Sequence, residues 1–311
     1  MSLLIGTRGS QLALAQAEGV RAQIARLWTK EEVRLEVVKT LGDRLSAKEA
    51  ETEGGEPPQG LFTKELDEAL LGGKIRAAIH SLKDVPTVLP AGIEIGALLK
   101  REDPRDVLIS RTGAKFFELP AGSKVGTSSP RREAQIRAVR SDLQVVPLRG
   151  NVDTRLRKTK EGELDAIVIA AAGLKRLGRE KEATEFLSPE IMLPAPAQGV
   201  LCVTLRQDDA ELKKALEPLY DKETRVCAEA ERAFLRTLQG GCRIPVGALA
   251  SLDGQTLMLS GVIANPNGEQ SMRNSQKGSV EKPVDLGNEL ARQFLRNGAQ
   301  EILNGFGRSS W

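Results

Sequence analysis

Cations and hydroxyls gather where this chain breaks its apolar runs. Thr7, Arg8 and Ser10 follow the run at 3–6, and Ser81, Lys83 and Asp84 follow the run at 75–79. Thr127, Ser128, Ser129, Arg131 and Arg132 follow Val125-Gly126. Arg149 and Asn151 follow Val145-Val146, and Lys175 with Arg176 follows 167–173. In parallel α/β sheets the carboxyl ends of strands are where ligands bind. From Lys124 to Lys160 there are ten Lys/Arg against three Asp/Glu. Ser129-Pro130 reads as an N-cap and first helical position, which puts two arginines in a first turn whose dipole disfavours cations. An anion held by both guanidinium forks and the free N–H groups accounts for that placement. Arg137, Arg140, Arg157, Lys158 and Lys160 read as a solvated basic face. No Phe, Tyr or Trp lies between Leu119 and Lys181 to stack bases, which argues against nucleic acid. Neither a P-loop nor a GxGxxG is present. A small ligand with several carboxylates fits best.

Two other residues could do chemistry. Asp84 adjoins Lys83 and could move a proton or stabilise a developing cation. It could equally cap a turn before Val85-Pro86, and local sequence favours the cap. Cys242 follows Gly240-Gly241, either as a thiol presented on a tight loop or as a small apolar residue behind a helix end. The local sequence leaves both readings open. Three cysteines without CxxC spacing argue against a disulfide framework or a zinc site. Cys202 reads as core and Cys227 as packed on an amphipathic helix. His80 is the single histidine, which excludes histidine-cluster metal sites and leaves a cysteine–histidine hydrolase resting on one residue.

The elements that must position these residues repeat. A strand at 3–6, a helix over 11–28, a strand at 35–39, a helix over 61–71 and a strand at 75–79 form one unit. Val125-Gly126-Thr127 mirrors Ile5-Gly6-Thr7. Residues 143–146 mirror 35–38, and residues 162–167 mirror 73–78. The expected fold class is α/β: two duplicated, hinged lobes with mostly parallel sheets, like periplasmic binding proteins, plus a small C-terminal α+β domain. Lobe one spans 1–99 plus 200–220, lobe two 100–199, and the C-terminal domain 221–311. Residues 93–108 and 188–205 carry the chain across and back. The last domain should hold strands at 246–251 and 257–264 and a helix over 284–304. The polar stretch 44–59 reads as a lid or disordered insert. With 311 residues, 40% of them hydrophobic, and a net charge of +3, the chain reads as an ordinary soluble protein. Its start lacks a basic and then apolar signal-peptide pattern and no run is long enough to span a bilayer, so a cytoplasmic location is expected.

The chain closely resembles the porphobilinogen deaminase (hydroxymethylbilane synthase) family. The resemblance is carried by GTRGSQLALAQA at 6–17, GLFTKEL at 60–66, HSLKDVP at 80–86, REDPRD at 101–106 and GTSSPRR at 126–132. LRGNVDTRL at 148–156, AAAGLKRLG at 170–178, LPAPAQG at 193–199 and ERAFLRTLQGGCRIPVG at 231–247 extend it over nearly the whole chain. It implies a transferase of tetrapyrrole and heme biosynthesis, acting as a monomer on porphobilinogen, with no nucleic acid, membrane or metal. It implies a dipyrromethane cofactor bound to Cys242 as a thioether. Four porphobilinogen molecules are then added head to tail with loss of ammonia, and 1-hydroxymethylbilane is released by hydrolysis. Each pyrrole bears an acetate and a propionate, which would occupy the arginines. By motif, Ser81, Lys83, Thr127, Ser128, Ser129, Arg131, Arg132, Arg149 and Arg155 would hold the cofactor. Arg8, Ser10, Arg149, Arg155 and Arg176 would hold substrate. Asp84 would contact pyrrole nitrogens, assist deamination and stabilise the cationic azafulvene.

Three positions depart from the family pattern. Gln59 stands for the usual lysine, Pro130 for the leucine of GTSSLRR, and Ala197 for a frequent glycine in the return segment. A two-lobed protein that merely binds a small polycarboxylate is the alternative from another class.

Overall fold

The computed structural model describes residues 2–41, 63–238 and 245–304. Two compact units divide these residues. One comprises 1–102 with 200–225, the other 103–199 with 226–311. The expected lid at 44–59, with Gln59, and the Cys242 loop lie outside the described residues.

In the first unit, β1 (Ser2–Thr7) leads through Ser10 into helix α1 (Gln11–Leu27), followed by β2 (Glu32–Val37), α2 (Lys64–Leu71), β3 (Ala77–Ser81) and β4 (Ile93–Leu98). Ser10 Oγ accepts from Ala13 N at 3.2 Å, the expected N-cap. β1 pairs in parallel with both β2 and β3. Val20 and Ile24 of α1 pack with Leu3, Ile5 and Trp28 into one core.

The second unit opens with β5 (Asp106–Ser110), β6 (Lys124–Gly126), α3 (Pro130–Val139), β7 (Gln144–Val146), α4 (Val152–Lys160), β8 (Ala166–Ala170), α5 (Ala171–Arg176) and the short β9 (Glu185–Phe186). The sheet order is β7-β6-β8-β5-β9, with β6 parallel to β7 and β8, and β5 antiparallel to β8. The duplication holds at the level of register. Ile5 and Gly6 face Ala77 and Ala78, while their counterparts Val125 and Gly126 face Ala166 and Ile167. Gly6 and Gly126 share a physical reason. A Cβ at Gly6 would come within 2.4 Å of Ile75, and one at Gly126 within 2.7 Å of Leu164, so at both glycines the segment leading into the neighbouring parallel strand passes closely. The second repeated piece, 35–38 and 143–146, slips by two residues. Ile5 faces Leu35, whereas Val125 faces Val145, a shift that keeps side chains on the same face.

The chain returns through β10 (Leu201–Arg206), which enters the first sheet between β3 and β4, antiparallel to both. Residues 93–98 and 201–206, expected as crossings, are thus sheet strands. Each sheet is mostly parallel, as expected: one strand, β10 in the first and β5 in the second, runs against the other four. Helix α6 (Ala210–Leu216) precedes α7 (Lys222–Thr237), which leads into the C-terminal part.

There, β11 (Val246–Asp253), β12 (Thr256–Ala264) and β13 (Ser271–Ser279) form an antiparallel meander, followed by α8 (Pro283–Arg296) and α9 (Ala299–Asn304). Phe234 of α7 meets Phe294 of α8 edge to face, with centroids 5.2 Å apart, inside a core that includes Leu257, Leu259 and Leu290. The expected helix over 284–304 is broken at Asn297-Gly298, where Gly298 takes φ 93°. The strand β13 was not foreseen. In SMRNSQKGS only Met272 is a large apolar residue, so no period of two is visible.

Candidate functional site

Because β1 and β3 are parallel neighbours, the residues that follow them emerge at one sheet edge. Thr7 is buried and its Oγ1 donates to Ala13 O at 3.4 Å. Ser81 Oγ donates to Gln16 Oε1 at 3.3 Å and ties the end of β3 to α1. A single 3-10 turn, Leu82–Asp84, then carries Lys83 and Asp84. Buried Leu82 and Val85 anchor it, and Leu82 N donates to Val200 O at 2.9 Å. Lys83, Asp84 and Arg8 are half-buried. Ser81 takes the N-cap position, so Asp84 stands inside the turn as its last residue. His80 points the other way, into the core, with Nε2 3.1 Å from Thr204 Oγ1. Burial, and then the charge of Arg8, push its pKa down to about 4.

In the second unit, Thr127, Ser128 and Ser129 follow β6. Thr127 is buried, with its N donating to Val146 O at 3.0 Å and its Oγ1 accepting from Ser129 N at 3.2 Å. Ser128 Oγ bridges both backbone groups of Leu148, donating to O and accepting from N at 2.9 Å each. Ser129 occupies the N-cap of α3 and Pro130 its first turn, although Ser129 makes no side-chain capping bond.

Arg131 and Arg132 are buried, and both reach Asp106. Arg131 Nη1 donates to Asp106 Oδ2 at 2.7 Å, and Arg132 Nη2 to Oδ1 at 2.8 Å. Arg131 Nη1 also donates to Leu193 O at 2.7 Å, and Arg132 Nη1 to Val168 O at 3.1 Å. Asp106 comes to this edge because β5 runs against β8, which sets its first residue opposite Ala170, the last of β8. Burial alone would raise the Asp106 carboxyl, but the two guanidinium charges outweigh it and hold it below the usual range. Two cations thus share one ionised carboxylate in a dry setting. Arg155 adds a third cation, with Nε donating to Gly150 O at 2.9 Å. Its pKa falls to about 10, chiefly through burial and then through the charge of Arg132. Arg131 Nε is buried without an acceptor among the described residues.

The remaining arginines separate. Arg149 is exposed beside Gly150, and Arg176 Nη2 donates to Gly199 O at 2.7 Å. The five cations read as a solvated face each pair with a nearby acid: Arg137 with Glu133, Arg140 with Asp142, Arg157 with Glu161, Lys158 with Glu163, and Lys160 with Glu182. Arg140 also donates to Phe116 O at 2.9 Å and Leu119 O at 2.8 Å, and so has a structural task. Asp106 is the site residue that sequence reasoning missed. Its signal was an acid opening an apolar run, VLIS, in a chain whose Arg131-Arg132 pair calls for an anion. Among the described residues there is no group of three or more His, Cys, Asp or Glu placed to hold a metal.

The family model described as "Porphobilinogen deaminase, dipyromethane cofactor binding domain" matches residues 3–214. The one described as "Porphobilinogen deaminase, C-terminal domain" matches residues 225–296. The porphobilinogen deaminase of Syntrophobacter fumaroxidans is 48% identical over 299 residues, covering 96% of each chain. That of Syntrophus aciditrophicus is 47% identical over 96% of this chain and 97% of its own. That of Carboxydothermus hydrogenoformans is 46% identical over 97% of this chain and 96% of its own. An arginine-specific periplasmic binding protein of Salmonella typhimurium is similar more loosely, with 15% identity and a TM-score of 0.39 over 72% of this chain and 93% of that one. With family models matched over residues 3–214 and 225–296, and a relative 48% identical over 96% of its length, this chain belongs to the porphobilinogen deaminase family.

Proposed function

We propose that this chain is a hydroxymethylbilane synthase that uses the cluster of Arg131, Arg132 and Arg155 to hold the carboxylates of a dipyrromethane carried on Cys242. The enzyme joins four porphobilinogen molecules head to tail, releases one ammonia for each, and frees 1-hydroxymethylbilane by hydrolysis. The observation that carries the residue assignment is the buried surplus of positive charge around Asp106, with the unpartnered Arg131 Nε among it. Buried cations need anionic partners, and acetate and propionate groups supply them in the planar form that guanidinium groups match. The cofactor, when bound, supplies the free pyrrole position on which the chain is built.

Ser81, Lys83, Thr127, Ser128, Ser129, Arg131, Arg132, Arg149 and Arg155 bind and orient it, and Cys242 holds the covalent link. Arg8, Ser10, Arg149, Arg155 and Arg176 hold the substrate's carboxylates. Asp84 accepts the substrate's pyrrole N–H on a carboxylate oxygen, which favours departure of ammonia as positive charge grows on the ring. Lys83, next in the chain, adds a cation on the same turn. The enzyme works as a cytoplasmic monomer on a small molecule, without nucleic acid or membrane. Among the described residues no helix is long and apolar enough to cross a membrane.

Ammonia release tests this reading. Wild-type enzyme is expected to yield four ammonia per bilane. Asp84→Ala should keep the cofactor mass yet lose turnover by about 100-fold or more, the scale of a removed proton-transfer group. Binding of porphobilinogen without ammonia would identify a receptor, and near-normal rates in Asp84→Ala would leave that residue a structural part of its turn.

A further inference from the structure

Residues 193–199 are held from several sides within the second unit. Leu193 O accepts from Gln135 Nε2 at 3.0 Å as well as from Arg131, and Leu193 N donates to Gln135 Oε1 at 2.8 Å. Gln198 Nε2 donates to Asp106 Oδ1 at 3.0 Å and to Pro104 O at 2.7 Å. Between them, Ala197 N donates to Glu231 Oε2 at 2.6 Å, and the other oxygen of Glu231 accepts from Ala250 N at 2.7 Å. Ala197 takes φ 63°, a left-handed conformation found at no other non-glycine residue among those described. Such strain persists only where the surroundings over-determine it. Glu231, fully buried, is one of the groups that do so.

This arrangement joins two parts of the assigned machinery. The segment supplies a carbonyl to Arg131 and an amide to Asp106, so its position sets that of the arginine cluster. Glu231 lies on α7, which precedes Cys242 in the chain, and Ala250 lies on β11, which follows it. We infer that Glu231 and Gln135 are positioning residues for the proposed reaction. They lock residues 193–199 so that the tether helix and the arginine cluster keep one register while the product grows. The inference rests on the proposed roles of Cys242, Arg131 and Arg132.

Glu231→Gln keeps one accepting oxygen but turns an amide N–H towards a backbone donor, and Gln135→Leu removes both bonds to Leu193 without a charge change. Leu290→Ala is the control, opening a cavity in the C-terminal core. Intact-mass spectra of each purified holoenzyme, quenched at intervals after porphobilinogen is added, report the cofactor and the number of added units. We expect both variants to carry the cofactor, with kcat lowered by roughly ten- to a hundredfold and KM little changed. Their populations should accumulate at early additions. Leu290→Ala, melting at a similarly reduced temperature, should keep the wild-type distribution. Should Glu231→Gln not fold, Gln135→Leu carries the test. Wild-type rates and distributions in the folded variants, or the same stall in Leu290→Ala, would overturn the inference. A wild-type chain without the added mass would overturn the functional reading beneath it instead.

Discussion

Two buried ionisable residues show opposite uses of burial. Asp106 is ionised because two guanidinium groups compensate it, so removing it strands those charges. Asp106→Ala is expected to cost about 3–5 kcal/mol in urea unfolding, the range for breaking a buried ion pair from one side. A loss under about 1 kcal/mol, no more than an exposed pair contributes, would show that the arginines do not depend on it. His80 is kept neutral instead. Its folded pKa of about 4 lies below the ordinary 6.5, so the unfolded chain binds a proton first as pH falls. Stability is therefore fully present above pH 6.5 and drains away between there and pH 4, by up to about 3 kcal/mol. His80→Asn should remove that slope from a series of melts across this pH range, and an unchanged slope would assign it to carboxylates. At this scale the need of Ser-Ser-Pro-Arg-Arg for an anion was legible, but not that a carboxylate of the chain itself answers part of it. Asp106 lies 25 residues before Arg131 on an antiparallel strand, and nothing local to either residue pairs them.

Among the elements, the repeated unit was legible because its signals are local: a β-branched run, a glycine that lets a connection pass, a capped helix. The strands β10 and β13 were not. β10 joins its sheet across about 120 residues of intervening chain and by its antiparallel direction, which hydrophobicity cannot encode. β13 is a polar strand that β12 recruits by backbone pairing. The return segment was legible as a departure from the family pattern, and the structure gives the usual glycine its reason. At φ 63° Ala197 bears the strain that glycine avoids. Ala197→Gly should raise stability by about 1 kcal/mol, since relief of roughly 1–2 kcal/mol is partly offset by glycine's freer unfolded chain. A cooperative melt shifted upward checks this, and a downward shift would show that the alanine is relaxed where it stands.

At the scale of the whole molecule, each lobe ends its parallel strands in cations and hydroxyls, and the C-terminal part is bound to lobe two. Arg273 donates to the carbonyls of Pro189 and Glu190, Ala248 N to Pro194 O, and the β12–β13 turn at Gly268 packs on Ala138 of α3. Family membership follows from the full length of the chain, whereas its chemistry rests on one tether. The most direct test is therefore the intact mass of purified enzyme. The account predicts a chain heavier than its sequence by one dipyrromethane and a Cys242→Ser variant at the bare mass and without activity. Active wild-type enzyme at the unmodified mass would contradict it.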